Sequence, residues 1–213
     1  FTVTDLEKWH DAKRRMVYDP SRIDWGFLES ADFDKSGQYW TNASLWFGFD
    51  VTHSWMVGTE RFLYALVDDP DWVKDIYETQ LDLGLIMLEK VLEKGYQFDA
   101  VTWPDDMGYK GTQFFSLDVY RELSKPFHKK ACDWAHERGK KVILHSCGNI
   151  LPFVPDLIEV GVNIINIHQP RLLGIDEVSA IGHRIVQGGK YFSESVFPFR
   201  DQSLLYTLLH NRY

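Results

Sequence analysis

The hydrophobic and polar positions from residue 43 onward repeat as strand, loop and helix. Each unit consists of a helix, a glycine, two or three residues, an apolar strand and a polar loop, and it recurs at Gly95, Gly139, Gly161 and Gly182. The apolar runs predict strands over residues 43–49, 99–103, 141–145, 162–167 and 184–186. Strands that alternate with helices indicate right-handed crossovers and a parallel sheet.

Such a sheet is either open or closed into a barrel. The sequence contains neither the glycine-rich turn G-x-G-x-x-G of an open dinucleotide-binding sheet nor the phosphate loop G-x-x-x-x-G-K-[ST]. Polar residues follow each predicted strand, where a (β/α) barrel builds its active site. The pattern therefore favours a (β/α) barrel. A complete (β/α)8 barrel needs about 250 residues, so five strands in 213 residues predict an incomplete one.

Helix signals are clearest between Asp69 and Gly95. Asp69 is the expected N-cap and Pro70 the first helical position. Gly95 is the expected C-cap. One apolar stripe at three- and four-residue steps consists of Val73, Ile76, Tyr77, Leu81, Leu85, Leu88 and Leu92. Further helices are predicted over residues 58–66, 116–139 and 176–181, and in the stretch before Gly161.

The beginning of the chain has a weaker pattern. A helix capped at Thr4-Asp5 is predicted to run to about residue 17, because the residue before Pro20 is disfavoured in a helix. Residues 20–41 show no clean period and predict an irregular segment. We therefore divide the chain into an irregular N-terminal segment packed on the barrel (1–42), the barrel units (43–190) and an atypical tail (191–213) without strand–helix alternation.

Composition narrows the class of protein. Apolar residues make up 45% of the chain and aromatic residues 15%, which is enough for a packed core. No apolar run approaches the roughly 20 residues that span a bilayer, and a net charge of −8 argues against a nucleic-acid surface. Two cysteines cannot form a disulfide framework and indicate a reducing, cytoplasmic setting. Because Phe1 is no translation start, we expect the chain to begin inside a longer gene product.

The sharpest local feature is His145-Ser146-Cys147-Gly148 at the end of a predicted strand. If the strand geometry continues, the side chains of His145 and Cys147 face the same side. Nitrogen and sulfur are ligands that Zn²⁺ prefers, so the pair is a candidate metal site. The alternative is a half-buried histidine beside an inert thiol. Cys132, in the middle of a predicted helix, is expected to be a packing residue.

Other polar residues follow the predicted strands. Asp105 and Asp106 come directly after a strand, so that one could bind substrate or a metal and the other could orient a partner; the alternative is a solvated turn. His168 also ends a strand, and it joins the two aspartates as a candidate catalytic residue. The candidate substrate-binding residues of the barrel mouth are His53, Glu60, Tyr109 and Gln169.

A series of motifs keeps a specific order along residues 43–188. They are Asp105-Asp106-Met107-Gly108, Phe115-Ser116-Leu117-Asp118-Val119-Tyr120, Pro126, residues 136–139, Ile143-Leu144-His145-Ser146-Cys147-Gly148 and Gly161-Val162-Asn163. Together they resemble the uroporphyrinogen decarboxylase (URO-D) superfamily. Within it they are more similar to the cobalamin-dependent methyltransferase branch than to the decarboxylases.

The resemblance implies a (β/α)8 TIM barrel and a mechanism. In the methyltransferases an H-x-C motif at a strand end binds zinc, and a later cysteine completes the protein ligands. The zinc activates a thiol, which takes a methyl group from a methyl-cobalt corrinoid; other members move methyl groups from methylated substrates onto a corrinoid protein. His145 and Cys147 match the first two ligands. The implied cofactors are Zn²⁺ and a corrinoid (cobalamin) carried by a partner protein, and a homodimer is left open.

The sequence also departs from this pattern. No cysteine follows Cys147, so the later thiolate ligand is missing. After Gly188-Gly189, residues 190–213 do not resemble the expected continuation, which suggests a cut or a shifted reading frame near residue 190. Two alternatives therefore stand beside the methyltransferase. One is a decarboxylase of tetrapyrroles, with Asp106 holding the pyrrole N–H groups, and the other is a catalytically silent barrel or corrinoid-protein-binding module.

Overall fold

Four parallel strands form one sheet in the computed structural model, which describes residues 1–30, 40–167 and 169. The strands are β1 (Asn42–Ser44), β2 (Ala100–Pro104), β3 (Lys141–His145) and β4 (Ile164–Asn166). They lie in the order β1-β2-β3-β4, and each pairs in parallel with the next. This continuous winding is that of a (β/α) barrel, whereas a doubly wound sheet reverses its strand order at a switch point. The fold is α/β and consists of consecutive (β/α) barrel units.

Helices connect the strands. The α-helices are α1 (Leu6–Arg15), α2 (Trp25–Ser30), α3 (Phe49–Val51), α4 (Thr59–Asp68), α5 (Pro70–Glu93), α6 (Leu117–Val119), α7 (Lys125–Glu137) and α8 (Val154–Val160). Helix α3 continues into the π-helical segment Thr52–Val57, and the π-helical segment Tyr120–Ser124 joins α6 to α7. Two 3₁₀ turns cover Pro20–Arg22 and Leu151–Phe153.

The long helix α5 confirms its sequence signals. The Asp69 carboxylate accepts a hydrogen bond from the Trp72 backbone N–H at 3.3 Å, and Pro70 occupies the first turn. Gly95 follows the helix end in a left-handed conformation. The helix from Ser116 is also confirmed, with Ser116 as its N-cap. Its middle turn is π-helical, which the sequence pattern does not reveal.

The first predicted strand is wrong beyond Ser44. The apolar run of residues 43–49 holds only the end of β1, and its last residue begins α3 after Gly48. A short apolar run has no period that separates a strand from a buried turn. Here Leu45, Phe47 and Phe49 are buried because they anchor the turn in the core. The strand predicted over 141–145 agrees with β3, and β2 and β4 lie within one or two residues of their predicted bounds.

The N-terminal segment has more structure than its pattern predicts. Helix α1 is capped by Asp5 and ends at Arg15, two residues earlier than expected. The region from residue 20, predicted as irregular, contains a 3₁₀ turn and α2. Trp9 is fully buried, and its indole N–H donates a hydrogen bond of 2.7 Å to Asp75 on α5. Helix α1 therefore packs against α5, one of the helices that connect the strands.

Two hydrophobic clusters hold the sheet and the helices together. One lies between the sheet and helices α5, α7 and α8 and includes Trp103 and Leu144; the other lies between α1, α3, α4 and α5 and includes Trp9 and Phe62. Cys132 is fully buried in the first cluster, in accord with a packing role. The helix predicted over 176–181, the strand predicted over 184–186 and the tail 191–213 lie outside the described residues. Over the described residues, no helix has the length and apolar character that a membrane span requires.

Candidate metal centre

Three potential metal ligands meet at the carboxyl end of the sheet. Asp106 lies in the loop after β2, His145 ends β3 and Cys147 lies two residues further on. A carboxylate oxygen, an imidazole nitrogen and the Sγ atom of these three residues lie within 4.8 Å of one another. His145 Nε2 is 3.5 Å from Cys147 Sγ and 3.5 Å from Asp106 Oδ1. The predicted common direction of His145 and Cys147 is therefore confirmed, and Asp106 adds an oxygen donor.

A neighbouring strand sets the direction of the His145 ring. Nδ1 lies 3.0 Å from the backbone carbonyl oxygen of Asn166 in β4. Because a carbonyl oxygen can only accept, Nδ1 carries a proton, and in the neutral ring Nε2 is the nitrogen whose lone pair faces Cys147 and Asp106. Fixing one ring nitrogen by a hydrogen bond is a common way to prepare the other for a metal.

The loops that carry Asp106 and Cys147 are locked against each other. A Cβ atom on Gly108 would lie 2.5 Å from the Cys147 carbonyl oxygen, and one on Gly148 would lie 2.6 Å from the Tyr109 backbone nitrogen. Gly148 has a φ of +75°, a conformation that glycine adopts easily. In addition, the Cys147 N–H donates a hydrogen bond of 2.7 Å to Asp106 Oδ1. The two glycines thus allow the backbone contact that brings the ligands together.

The charge environment keeps the Cys147 thiol protonated. Burial, followed by the nearby charges of Asp106 and Asp50, raises the pKa of this thiol to about 11. A thiolate at neutral pH therefore requires a cation at this place. A divalent metal ion satisfies that requirement, because a coordinated thiol loses its proton.

Asp50 is a further carboxylate at this end of the sheet, and the sequence reasoning did not single it out. It lies in the first turn of α3, where Ser54 donates a hydrogen bond of 3.0 Å to its Oδ1, and His53 Nε2 is 3.6 Å from the same oxygen. Burial and the charges of Asp106 and Asp105 raise its pKa to about 6. Placing a helix start after Gly48 would have given the signal, because acidic residues are favoured in a first helical turn.

Asp105 and Asp106 are adjacent but occupy different environments. Asp106 is half-buried beside His145, whereas Asp105 is fully buried. Asp105 Oδ1 accepts a hydrogen bond from the Asp50 N–H at 2.9 Å, and its Oδ2 lies 2.9 Å from His128 Nε2. This position is that of a residue that holds the loop, and the catalytic role predicted for Asp105 stays a prediction.

The other predicted site residues are distributed around the ligand cluster. Gln169 is exposed, and its Oε1 accepts a hydrogen bond of 3.1 Å from the Gly148 N–H. Tyr109 is half exposed and packs on Phe114, with ring centroids 5.4 Å apart. His53 is buried and bonds through Nδ1 to Thr59 Oγ1 at 3.0 Å.

Two predicted site residues are not joined to this cluster. Glu60 is exposed in the first turn of α4, and no recorded contact within the described ranges joins it to the three ligands. His168 is outside the described residues. The substrate-binding role of Glu60 and the catalytic role of His168 stay predictions.

Comparison with known proteins identifies the family. A model of the family described as uroporphyrinogen decarboxylase (URO-D) matches residues 51–189, which is more than half of the chain. The chain therefore belongs to the uroporphyrinogen decarboxylase family. No curated protein matches it.

A solved structure, a methyltransferase from Methanosarcina mazei, is similar to this chain with a TM-score of 0.47 and 16% sequence identity. The similarity covers 70% of this chain and 50% of that one. The chain thus spans about half the length of the methyltransferase that it matches.

Proposed function

We propose that the protein is a zinc-dependent methyltransferase that moves a methyl group between a corrinoid (cobalamin) protein and a thiol or a methylated small substrate. The observation that carries the proposal is the cluster of Asp106, His145 and Cys147, with ligand atoms within 4.8 Å of one another. Nitrogen, sulfur and oxygen donors fit Zn²⁺, and three protein ligands leave a fourth position for a substrate, as in catalytic zinc sites.

Asp106 offers a third protein ligand beside His145 and Cys147. Residues 148–213 contain no cysteine, so no later thiolate comes from this part of the sequence. The half-buried Asp106 carboxylate, which lies beside both other candidates, offers a third protein ligand in its place. When bound there, Zn²⁺ supplies Lewis acidity that lowers the pKa of a coordinated thiol or polarises a leaving oxygen. Cys147 would hold the metal as a thiolate, and Gln169 and Tyr109 would contact a substrate at the rim.

A decarboxylase of tetrapyrroles is the second candidate, because the matching family bears that description. Asp106 would then hold pyrrole N–H groups and stabilise a ring cation. However, a substrate with several carboxylates needs cationic partners. In the described part of the chain, the recorded ion-pair partners of Asp50, Asp105 and Asp106 are each a histidine. This anionic surrounding favours the metal-dependent methyltransferase.

The test combines metal content with methyl transfer. Purified protein is analysed for zinc, and transfer from methylcobalamin to a thiol is measured with and without added Zn²⁺. We expect one zinc per chain and zinc-dependent transfer, both lost in Cys147→Ala and in His145→Ala. Cys132→Ala is the matched control, because it removes the buried cysteine of α7 and should keep zinc and transfer. Wild-type protein without zinc, or unchanged zinc in Cys147→Ala, would falsify the proposal.

The same preparation separates the alternatives. Turnover of uroporphyrinogen by metal-free protein would instead support the decarboxylase. Folded protein that binds corrinoid protein but neither binds zinc nor turns over either substrate would support the binding module.

A further inference from the structure

A chain of three buried polar side chains lies beneath the candidate metal centre. The Tyr120 hydroxyl is 3.1 Å from His128 Nδ1, and His128 Nε2 is 2.9 Å from Asp105 Oδ2. Asp105 and Tyr120 are fully buried, and only 1% of His128 is exposed. Tyr120 lies in the π-helical segment before α7, His128 lies in α7, and Asp105 lies in the loop after β2.

The direction of each hydrogen bond in the chain follows from its partners. A carboxylate only accepts, so His128 Nε2 carries a proton and donates it toward Asp105. Burial raises the pKa of Tyr120, so its hydroxyl keeps its proton and can donate to Nδ1. The imidazole is also held between rings, with its centroid 5.7 Å from that of Trp103 and 5.9 Å from that of Phe47. His128 therefore has one fixed orientation, and it points at Asp105.

Asp105 in turn fixes the loop that carries Asp106. The Asp105 N–H donates to the His145 carbonyl oxygen at 2.8 Å, and its own carbonyl accepts the Ser146 hydroxyl at 2.6 Å. Its side chain caps the start of α3 through the Asp50 N–H. The next residue, Asp106, then presents Oδ1 to the Cys147 N–H at 2.7 Å and to His145 Nε2 at 3.5 Å.

We propose that His128 is a positioning residue of the candidate metal centre, which acts through Asp105 to hold the Asp106 carboxylate beside His145 and Cys147. Without the imidazole, Asp105 is a fully buried carboxylate that keeps only the backbone N–H of Asp50 as a hydrogen-bond partner described above. An uncompensated buried charge is strongly unfavourable, so Asp105 turns toward solvent and the loop that it anchors shifts. The Asp106 carboxylate moves with this loop, because the two residues are consecutive.

The inference rests on the proposed function for its metal, but its first readout needs no metal. Hydrogen exchange of the Cys147 amide, which is bonded to Asp106, is measured by NMR in metal-free protein. His128→Phe keeps an aromatic ring between Trp103 and Phe47 and removes both polar nitrogens. We expect the Cys147 amide to exchange about tenfold faster or more, because local opening governs exchange. His128→Gln, which keeps an N–H donor near the position of Nε2, restores the wild-type rate.

The second readout is metal affinity. Loss of an outer partner of a metal ligand lowers affinity by about 10- to 100-fold, so Zn²⁺ titrated against a chelator should bind His128→Phe that much more weakly and His128→Gln as tightly as wild type. Asp156→Asn is the matched control. It removes the charge of a buried carboxylate that pairs with Arg121 and Lys125, and it should change neither readout. Tyr120→Phe provides a milder variant, with a smaller change in the same direction.

The outcomes separate the two proposals. Unchanged exchange at Cys147 in folded His128→Phe and Tyr120→Phe overturns the positioning role, whatever metal the protein binds. Equal effects of Asp156→Asn and His128→Phe overturn it as well, because they would reflect general loss of stability. Faster exchange in His128→Phe, with rescue in His128→Gln but no zinc in wild type, supports the positioning role and rejects the metal.

Discussion

Two clusters of carboxylates in this protein are partnered in opposite ways. On α8, Asp156 is 3% exposed and pairs with Arg121 at 3.0 Å and with Lys125 at 2.6 Å. Hydrogen bonds from Arg121, followed by Lys125, hold the pKa of Asp156 below its usual value. At the carboxyl end of the sheet, Asp50 and Asp106 have histidine partners, and the pKa of Asp50 is raised to about 6.

The contrast distinguishes a carboxylate that is balanced by cations of the chain from carboxylates that have only histidine partners. The charge of Asp156 is balanced within the chain, because its partners Arg121 and Lys125 are cationic. At the sheet end, burial and then the negative charges gathered there raise the pKa of Asp50 and of the Cys147 thiol. Groups whose pKa values are shifted by burial and by like charges in one place are characteristic of functional sites. A bound divalent cation would supply the missing positive charge.

Disrupting the close backbone contact between Gly108 and Gly148 should have the largest effect on stability. Gly148→Ala adds a Cβ at a φ of +75° against the backbone of Gly108 and Tyr109. The left-handed conformation costs about 1–2 kcal/mol, and overpacking adds about 1–3 kcal/mol. We therefore expect a loss of about 2–5 kcal/mol, measured by urea unfolding, together with loss of zinc binding.

Gly139→Ala is the control for that substitution. Gly139 also has a positive φ, of +69°, but a Cβ there would meet no heavy atom within 4 Å. It should therefore lose only about 1–2 kcal/mol, from backbone strain, and bind zinc as tightly as wild type. Equal losses in the two variants would contradict the role of the close contact between the loops.

The sequence predicted the regular elements well where a period or a cap defined them. The N-cap at Asp69, the strand Lys141–His145 and the helix cap at Ser116 are all confirmed. The errors lie where tertiary contacts decide the structure. The apolar residues after Ser44 form a buried turn whose side chains fill the core, and α2 lies in a segment without a clear period.

At the site, the two candidate ligands that share one strand end could be predicted from the sequence, but the whole arrangement could not. His145 and Cys147 follow from a two-residue spacing, which is local. The opposite environments of Asp105 and Asp106 depend on His128 and on the start of α3, which lie 23 and 55 residues away in the sequence. The contribution of His128 comes from such a distant contact, so no local pattern could reveal it. Asp50 has a local signal, its place in a first helical turn, but that signal depends on placing the helix start after Gly48, where the apolar run predicted a strand.

Neutralising Asp156 should lower the stability of the protein. Asp156→Asn removes charge-assisted bonds to Arg121 and Lys125, so we expect a loss of about 2 kcal/mol at pH 7 by urea unfolding. Because the folded-state pKa of Asp156 is lowered, the contribution is present above its ordinary pKa of about 3.9. It is lost as pH falls through the still lower folded-state pKa. A difference between wild type and variant that stays constant down to acid pH would contradict this assignment.

Neutralising Asp50 should increase the free energy of unfolding, and this change should be the smallest of the predicted changes. Its pKa is raised from 3.8 in the unfolded chain to about 6 in the fold, so the folded state binds more protons between these values. Stability therefore falls as pH rises through this window, and Asp50→Asn should be more stable than wild type at pH 7.5 by about 1–2 kcal/mol.

The size of that gain should depend on pH and on zinc. At pH 4 the gain disappears, because Asp50 is then protonated in the fold. Saturating Zn²⁺ should reduce the gain at pH 7.5, because the cation offsets the charge of Asp106, which contributes to the raised pKa of Asp50. Thermal unfolding of both proteins at the two pH values, with and without zinc, measures all of these differences. A variant less stable than wild type at pH 7.5 would show that Asp50, like Asp156, stabilises the fold, and the contrast between the two clusters would not hold.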